Sequence, residues 1–206
     1  MPYRDARSAL AALYRIATAQ GGYFTAKQVA GAGYAKQHVD YHVKAGNFER
    51  VERGLHRLPT LPIDEHDDLI RLSLWSRGRD DVPQAVVSHQ SALALHELGD
   101  MLPGTVHLTV PPTFRKTPPP ECTLHRGRVE PGEEEARPGF RVTTPLRTIL
   151  DAAASESVPF EQLVAAVRDA LDRGLVRRSR LESSAKASDA AAVRLRRALD
   201  ERDRKE

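Results

Sequence analysis

Hydrophobic residues in the first third of the chain recur at spacings that predict a compact unit of helices and a hairpin. Apolar positions three or four residues apart predict a helix over residues 5–19, which a Gly-Gly pair ends. Thr25 is typical of a helix N-cap and predicts a short second helix. A third helix is expected over residues 34–45, with Gly46 ending it, and alternating residues on both sides of Gly54 predict a β-hairpin. This order of elements is that of a winged helix-turn-helix.

The third helix of this unit is the one that would enter the major groove of DNA. Ala35, Val39 and Val43 are spaced one helical turn apart and are expected to pack inward, which leaves polar residues on the outer face. Gln and Lys can contact base edges, while Tyr and Arg can bind phosphates. Asp40 lies on the same face and would repel phosphates unless it pairs with a neighbouring lysine or contacts a cytosine amino group. A solvated helix face is an equally good interpretation of any single residue. The predicted DNA contacts are Lys27, Lys36, Gln37, Tyr41, Lys44, Arg50, Arg53 and Arg57.

Beyond two prolines at positions 59 and 62, the pattern changes to alternating helices and strands. We therefore expect an α+β protein with a DNA-binding domain over residues 1–60 and a larger α+β domain over residues 64–206, ending in helices. Ser88 and Thr144 are expected to cap two of its helices. Helices are predicted over residues 67–75, 89–98, 145–154, 160–173, 179–187 and 190–203. Strands are predicted over residues 85–87, 106–110, 123–125 and 140–143. Loops are predicted at the PPTFRKTPPP segment, residues 111–120, and at the acidic run, residues 133–135.

Charge is distributed unevenly along the chain. Residues 1–58 carry nine Lys and Arg against four Asp and Glu, whereas residues 59–145 carry nine against thirteen. A basic first segment before an acidic middle one favours contact between that end and a polyanion, although a solvated surface also produces such an imbalance. No apolar run approaches the length of a membrane span and no leader is apparent, so we expect a cytoplasmic protein without a membrane partner.

Signatures of common enzyme sites are missing from the sequence. A restriction-type nuclease needs an E-x-K or D-x-K strand for Mg²⁺, and the chain has only a D-x-K at its charged terminus, residues 203–205. No D-x-D pair and no Gly-Lys dipeptide occur, which argues against a nucleotidyltransferase and a P-loop. His89 and His96 could form a metal or acid–base site, but capping and core packing of neutral histidines is favoured. Cys122 is alone, which excludes an internal disulfide, and is expected in the core. We expect no enzyme, metal or cofactor.

Three stretches resemble the AbiEi family of antitoxins from type IV toxin–antitoxin systems. The first is residues 22–58, GYFTAKQVAGAGYAKQHVDYHVKAGNFERVERGLHRL, which contains the helix, glycine and Glu-Arg hairpin of that family's N-terminal domain. The second is residues 86–100, VVSHQSALALHELGD, and the third is residues 142–154, VTTPLRTILDAAA. The three motifs occur in the family's order, and with the helical tail after the third the resemblance spans nearly the whole chain.

The resemblance implies a protein with two activities. Such an antitoxin binds double-stranded DNA at its own operon promoter and represses it, and it neutralises a nucleotidyltransferase-fold toxin without needing a stable complex. Two other hypotheses remain open from the residues: a DNA-targeted metal-dependent nuclease, and an adaptor whose winged helix binds protein.

Overall fold

The computed structural model describes residues 6–185 and 189–204, which form nine helices and eight strands. They divide into two compact units, one of Met1–Pro83 with Pro138–Phe140 and the other of Gln84–Arg137 with Arg141–Glu206. The fold is α+β, as predicted, with a largely helical N-terminal region before a larger part that ends in helices. None of the helices in the described part of the chain has the length and apolar character to span a lipid bilayer.

The first unit follows the predicted order of helix, strand, two helices and hairpin. Its three strands form one antiparallel sheet in the order β1-β3-β2, with a bulge in β2 between Arg50 and Glu52. A fourth helix follows the hairpin. Its elements are α1 (Ala6–Thr18), β1 (Tyr23–Thr25), α2 (Ala26–Ala32), α3 (Lys36–Lys44), β2 (Glu49–Glu52), β3 (Leu55–Arg57) and α4 (Asp67–Trp75).

Local sequence determines where the helices of this unit begin and turn. Thr25 caps α2 with a capping box: its hydroxyl accepts from the Gln28 amide, and the Gln28 side chain accepts from the Thr25 amide. Gly33 ends α2 with φ of 108°, a left-handed conformation that favours glycine and turns the chain into α3. Phe24 and Phe48 meet edge to face, with ring centroids 5.1 Å apart. They lie in a buried cluster of Leu13, Ala17, Phe24, Val29, Ala32, Phe48 and Leu58.

The second unit combines a mixed five-stranded sheet with a helical core. The sheet order is β6-β5-β4-β8-β7, in which β4 runs parallel to β8 and antiparallel to β5. Its strands are β4 (Val86–Val87), β5 (Val106–Val110), β6 (Cys122–Arg126), β7 (Glu134–Arg137) and β8 (Phe140–Thr143). Its helices are α5 (His89–Leu95), α6 (Pro145–Ala154), α7 (Phe160–Asp172), α8 (Arg178–Ser184) and α9 (Ala190–Asp203). Apolar faces of the last four helices form one cluster, which includes Ile149, Leu163, Val167, Leu181 and Leu195.

Several expectations from the sequence need correction. The structure divides into compact units after Pro83, and α4 is bonded to the first of them, whereas the domain boundary expected at residues 60–64 stays a prediction. The acidic run forms part of β7, where Arg141 pairs with Glu134 and neutralises a carboxylate of the strand. Ser88 precedes α5 but makes no side-chain cap. The helix expected over residues 179–187 ends at Ser184, and residues 186–187 lie outside the described part of the chain.

Candidate nucleic-acid interface

Helix α3 is held by one face against the core of the first unit. Val39 and Val43 are partly buried there, as predicted, and pack against the cluster around Phe48. Ala35 does not pack inward, because it is the N-cap residue of α3 and is exposed. Gly46 follows the helix with φ of 75° and turns the chain towards the hairpin.

The outer face of α3 presents the predicted polar residues to solvent. Gln37 and Lys44 are exposed, and 65% of Tyr41 is exposed, which is unusual for an aromatic side chain of this size. Asp40 shares this exposure. Lys36 begins the helix, and its side chain lies outside the described part of the structure. The structure thus places Gln37, Tyr41 and Lys44 on one helix with their side chains available to a ligand.

The β2–β3 hairpin presents two of its three predicted arginines. Arg50 on β2 and Arg53 at the turn are both exposed. Gly54, with φ of 80°, allows the tight turn next to them. Cations at a hairpin beside an exposed helix are suited to phosphate contacts on a duplex.

Arg57 does not belong to this exposed surface, which corrects the prediction. Only 7% of Arg57 is exposed, and its guanidinium donates to the carbonyl of Leu61 and lies 3.7 Å from a Glu49 carboxylate oxygen. Arg57 lies on β3, the central strand of the sheet, which pairs with β1 on one edge and β2 on the other. A phosphate could not reach it without disrupting the unit.

Lys27 occupies an intermediate position. Its side chain lies exposed on α2, yet its Nζ donates to the main-chain carbonyl of Arg79 at 2.6 Å. An ammonium group with one hydrogen bond to a carbonyl retains its charge and two further donors. Lys27 can therefore contribute to the electrostatic field of the unit while it remains tethered to the chain.

Helix α4 is bonded to the hairpin and to β1 through charged and polar pairs. Arg71 forms an ion pair with Glu52 of β2, and the Tyr23 hydroxyl donates to Asp67 at 2.7 Å. Burial, together with this hydrogen bond, raises the pKa of Tyr23 to about 12, so the phenol stays protonated and keeps donating. These contacts fix the base of the hairpin that carries Arg50 and Arg53. The sequence analysis missed them, because ion pairs across different elements leave no local pattern.

The second unit contains a histidine cluster that the sequence analysis found only in part. His96 is buried, and its Nε2 lies 2.7 Å from the Thr143 carbonyl, in agreement with the predicted packing role. His89 instead stacks on His125 with ring centroids 3.5 Å apart, and His125 Nε2 lies 2.9 Å from His107 Nδ1. His107 and His125 escaped notice because each is a single residue in a different strand. Their meeting depends on the pairing of β5 with β6.

A chain of buried hydroxyls orients His89 within this cluster. Thr109 Oγ1 donates to Ser88 Oγ at 2.8 Å, and Ser88 Oγ lies 2.9 Å from His89 Nδ1. Ser88 Oγ accepts this hydrogen bond from Thr109, and its own hydroxyl can in turn donate to the unprotonated Nδ1 of a neutral His89. Burial, followed by the neighbouring imidazoles of His125 and His107, lowers the pKa of His89 to about 3. The ring is therefore neutral at physiological pH.

The histidine cluster is not arranged as a metal site. Imidazole lone pairs lie in the ring plane, so two rings stacked face to face cannot both direct them at one ion. Across residues 6–185 and 189–204, no group of three or more His, Cys, Asp or Glu side chains is placed to hold a metal. Cys122 is buried, and burial raises the pKa of its thiol to about 11, which is unsuitable for a nucleophile.

Comparison with known proteins identifies the N-terminal segment and the fold. Residues 12–59 match the family model AbiEi_4, described as "Transcriptional regulator, AbiEi antitoxin". No curated protein matches the chain significantly. Among solved structures, the RV2827C protein from Mycobacterium tuberculosis is similar, with a TM-score of 0.58 and 17% sequence identity over 97% of this chain and 78% of that chain. At this identity the similarity shows the fold alone.

Proposed function

We propose that this protein is a DNA-binding antitoxin that represses its own operon, because residues 12–59 match the family model of AbiEi antitoxin transcriptional regulators. The observation that carries the proposal is the exposed polar face of α3, with Gln37, Tyr41 and Lys44, beside a hairpin that exposes Arg50 and Arg53. A helix with this face can enter a major groove, while the hairpin cations bind flanking phosphates.

The second activity in the proposal is neutralisation of a toxin. The resemblance to type IV antitoxins suggests a partner of the nucleotidyltransferase fold, encoded beside this gene and neutralised without a stable complex. We assign this activity mainly to the second unit, Gln84–Arg137 with Arg141–Glu206, since the predicted DNA contacts all lie in the first. A regulator of this kind acts in the cytoplasm, and we propose no enzymatic activity.

DNA binding is tested by fluorescence anisotropy on the protein's own upstream DNA against a scrambled duplex of equal length. We expect a preference for the native duplex that weakens with salt, because bound cations displace counterions. Gln37→Ala should reduce that preference by about 1–3 kcal/mol if the amide contacts a base edge. Arg53→Ala should weaken binding to the two duplexes equally. Arg15→Ala on α1 serves as the control that changes neither affinity. Equal affinity for the two duplexes at moderate salt would refute the proposal.

Toxin neutralisation is tested separately by growth rescue in cells that express the neighbouring toxin gene. The full chain with Lys36, Gln37 and Lys44 all changed to Ala should rescue growth but fail to repress a promoter fusion, because exposed residues support no core. If this variant is folded and fails to rescue growth, neutralisation depends on DNA binding and the division of activities is incorrect.

Incubation of the protein with DNA, RNA and Mg²⁺ tests the alternative that the protein is a nuclease. Cleavage that EDTA prevents would support that alternative.

A further inference from the structure

A groove opens between α3 and the β2–β3 hairpin of the first unit. Its volume is about 800 Å³, which is within the range of small-molecule sites. Val29 lies at its base and is fully buried, while Val39 and Val43 line the side formed by α3. The hairpin forms the opposite wall. The residues that line the groove are Ala26, Val29, Ala30, Tyr34, Val39, Asp40, Val43, Lys44, Arg50, Gly54 and His56.

His56 is the buried polar group of this groove. It is 7% exposed, its ring stacks on Phe24 with centroids 5.8 Å apart, and its Nδ1 has no hydrogen-bond partner in the described part of the chain. A buried polar atom without a hydrogen-bond partner is unfavourable for the unliganded protein. Burial and the nearby Arg50 lower the pKa of His56, whereas Asp40 opposes them. The imidazole is therefore a neutral hydrogen-bonding group between two charges.

The entrance of the groove carries an excess of positive charge. Lys44 and Arg50 both line it and are exposed, and neither forms an ion pair with a described residue. Asp40 is the single acidic residue in the lining. An apolar base, a buried neutral imidazole and two exposed cations together match a flat apolar molecule that bears one negative charge.

We propose that this groove binds a small aromatic carboxylate, and that the bound ligand weakens DNA binding. The ring would lie against Val39 and Val43, with the carboxylate towards Lys44 and Arg50 and a ring hydroxyl in reach of His56. The second half of the proposal rests on the proposed function, because Lys44 and Arg50 are also predicted phosphate contacts. A carboxylate that occupies both cations removes them from the duplex.

Reciprocity gives the proposal a quantitative form. If the ligand lowers the affinity for operator DNA by some factor, DNA must lower the affinity for the ligand by the same factor. The ligand and the duplex compete for two cations. Each cation should change the two affinities by roughly two- to fivefold, the size typical of exposed ion pairs. Simple ionic screening would instead act equally on every anion of the same charge.

Salicylate is the probe, titrated into the full-length protein and measured by isothermal calorimetry, with acetate at equal concentration as the control anion. We expect saturable binding of salicylate and none of acetate. Arg50→Ala should raise the Kd for salicylate roughly two- to fivefold. Ala30→Phe should abolish binding, since Ala30 is exposed in the lining and a ring there fills the groove without disturbing the core. Arg53→Ala, on the same hairpin but outside the groove, should bind salicylate like the parent protein, and circular dichroism checks that each variant is folded.

The outcomes separate this proposal from the DNA-binding proposal. Saturable binding that Ala30→Phe abolishes supports the groove as a ligand site, even if no DNA preference is found. Absence of salicylate binding, or binding that the Ala30→Phe and Arg50→Ala variants leave unchanged, overturns the ligand site while DNA binding stands. Salicylate binding without any change in DNA affinity overturns the regulatory half.

Discussion

Arg57 links the segment that follows the β2–β3 hairpin to the three-stranded sheet of the first unit. Its guanidinium bonds to the Leu61 carbonyl, pairs with Glu49 and lies beside Gly22, whose left-handed φ of 93° brings the backbone close. A buried guanidinium whose bonds are made within the unit stabilises the fold instead of binding a ligand.

We therefore predict that Arg57→Ala lowers the free energy of unfolding by about 1–3 kcal/mol, because the Leu61 carbonyl loses its donor. Urea denaturation followed by circular dichroism measures this change. Arg53→Ala, an exposed arginine four residues earlier, should change stability by less than about 0.5 kcal/mol. If the Arg57→Ala protein is as stable as the parent but binds DNA more weakly, Arg57 contacts DNA and the assignment to a structural role is wrong.

The histidine cluster makes the second unit sensitive to acid. His89, His107 and His125 all have a pKa below the ordinary value, mainly through burial. The unfolded chain therefore takes up protons near the ordinary histidine pKa of 6.5, while the folded chain does so only at lower pH, about 3 for His89. The contribution of these neutral histidines to the free energy of unfolding is complete well above pH 6.5, and it decreases as the pH falls from 6.5 towards 3.

We predict that the free energy of unfolding falls between pH 7 and pH 5 and that His89→Asn reduces this fall. Asn is chosen because residue 89 has φ of 52°, a left-handed conformation that Asn tolerates better than most residues. Urea titrations at several pH values measure the effect, with exposed His38→Asn as the matched control. An identical pH dependence in the parent and His89→Asn proteins would exclude His89 as a source of proton uptake.

At the scale of elements, capping determines how α2 and α3 are presented. The capping box of Thr25 and Gln28 satisfies amides at the start of α2, and Gln28 also bonds to Gln20, which receives a bond from Arg77. The Gln28 side chain is thus connected, through Gln20, to Arg77 just after α4. Loss of the cap would loosen the helix pair that positions the predicted DNA contacts.

Thr25→Ala should destabilise the protein by about 1 kcal/mol, which is the usual loss for an N-cap hydroxyl. Thr18→Ala, an exposed threonine at the end of α1, is the matched control and should have little effect. Thermal unfolding of the three proteins provides the comparison. Equal midpoints for the parent and Thr25→Ala proteins would show that the capping box contributes nothing measurable.

Elements with strong periodicity and clear boundaries were predictable from the sequence. Helix α4 and strand β5 have the predicted bounds, and Thr144 caps α6 as expected, with its hydroxyl accepting from the Arg147 amide. Strand β7 was not predicted, because Glu134 in the strand pairs with Arg141 and Glu133 just before it pairs with Arg147, and such partners cannot be read from local pattern. The exposed part of the proposed DNA-binding face followed from helical spacing, whereas the burial of Arg57 depended on its place in the central strand.

At the scale of the molecule, the first unit concentrates positive charge that a polyanion would screen. With Arg57 excluded and Lys27 tethered, four of the predicted contacts that remain are cations: Lys36, Lys44, Arg50 and Arg53. Each phosphate neutralised contributes about −0.9 to the slope of log K against log salt concentration. We predict a slope of roughly −3.6 for each protein chain bound, measured by anisotropy over a salt series.

Single variants show which cations contribute to this slope. Lys44→Ala should reduce its magnitude by about 0.9, and Arg15→Ala should leave it unchanged. A slope near zero would mean that the unit does not bind DNA through its cations.

The proline-rich segment, residues 111–120, combines a stiff backbone with a buried anchor. Phe114 is buried, and Arg126 donates to the Phe114 carbonyl at 2.6 Å. Five of the ten residues are prolines, whose φ is already restricted in the unfolded chain, so ordering this loop costs less conformational entropy than ordering most sequences of its length. The contacts of Phe114 and Arg126 therefore act on a chain that is already restricted, whereas a glycine-rich connection of the same length would lose more entropy on ordering.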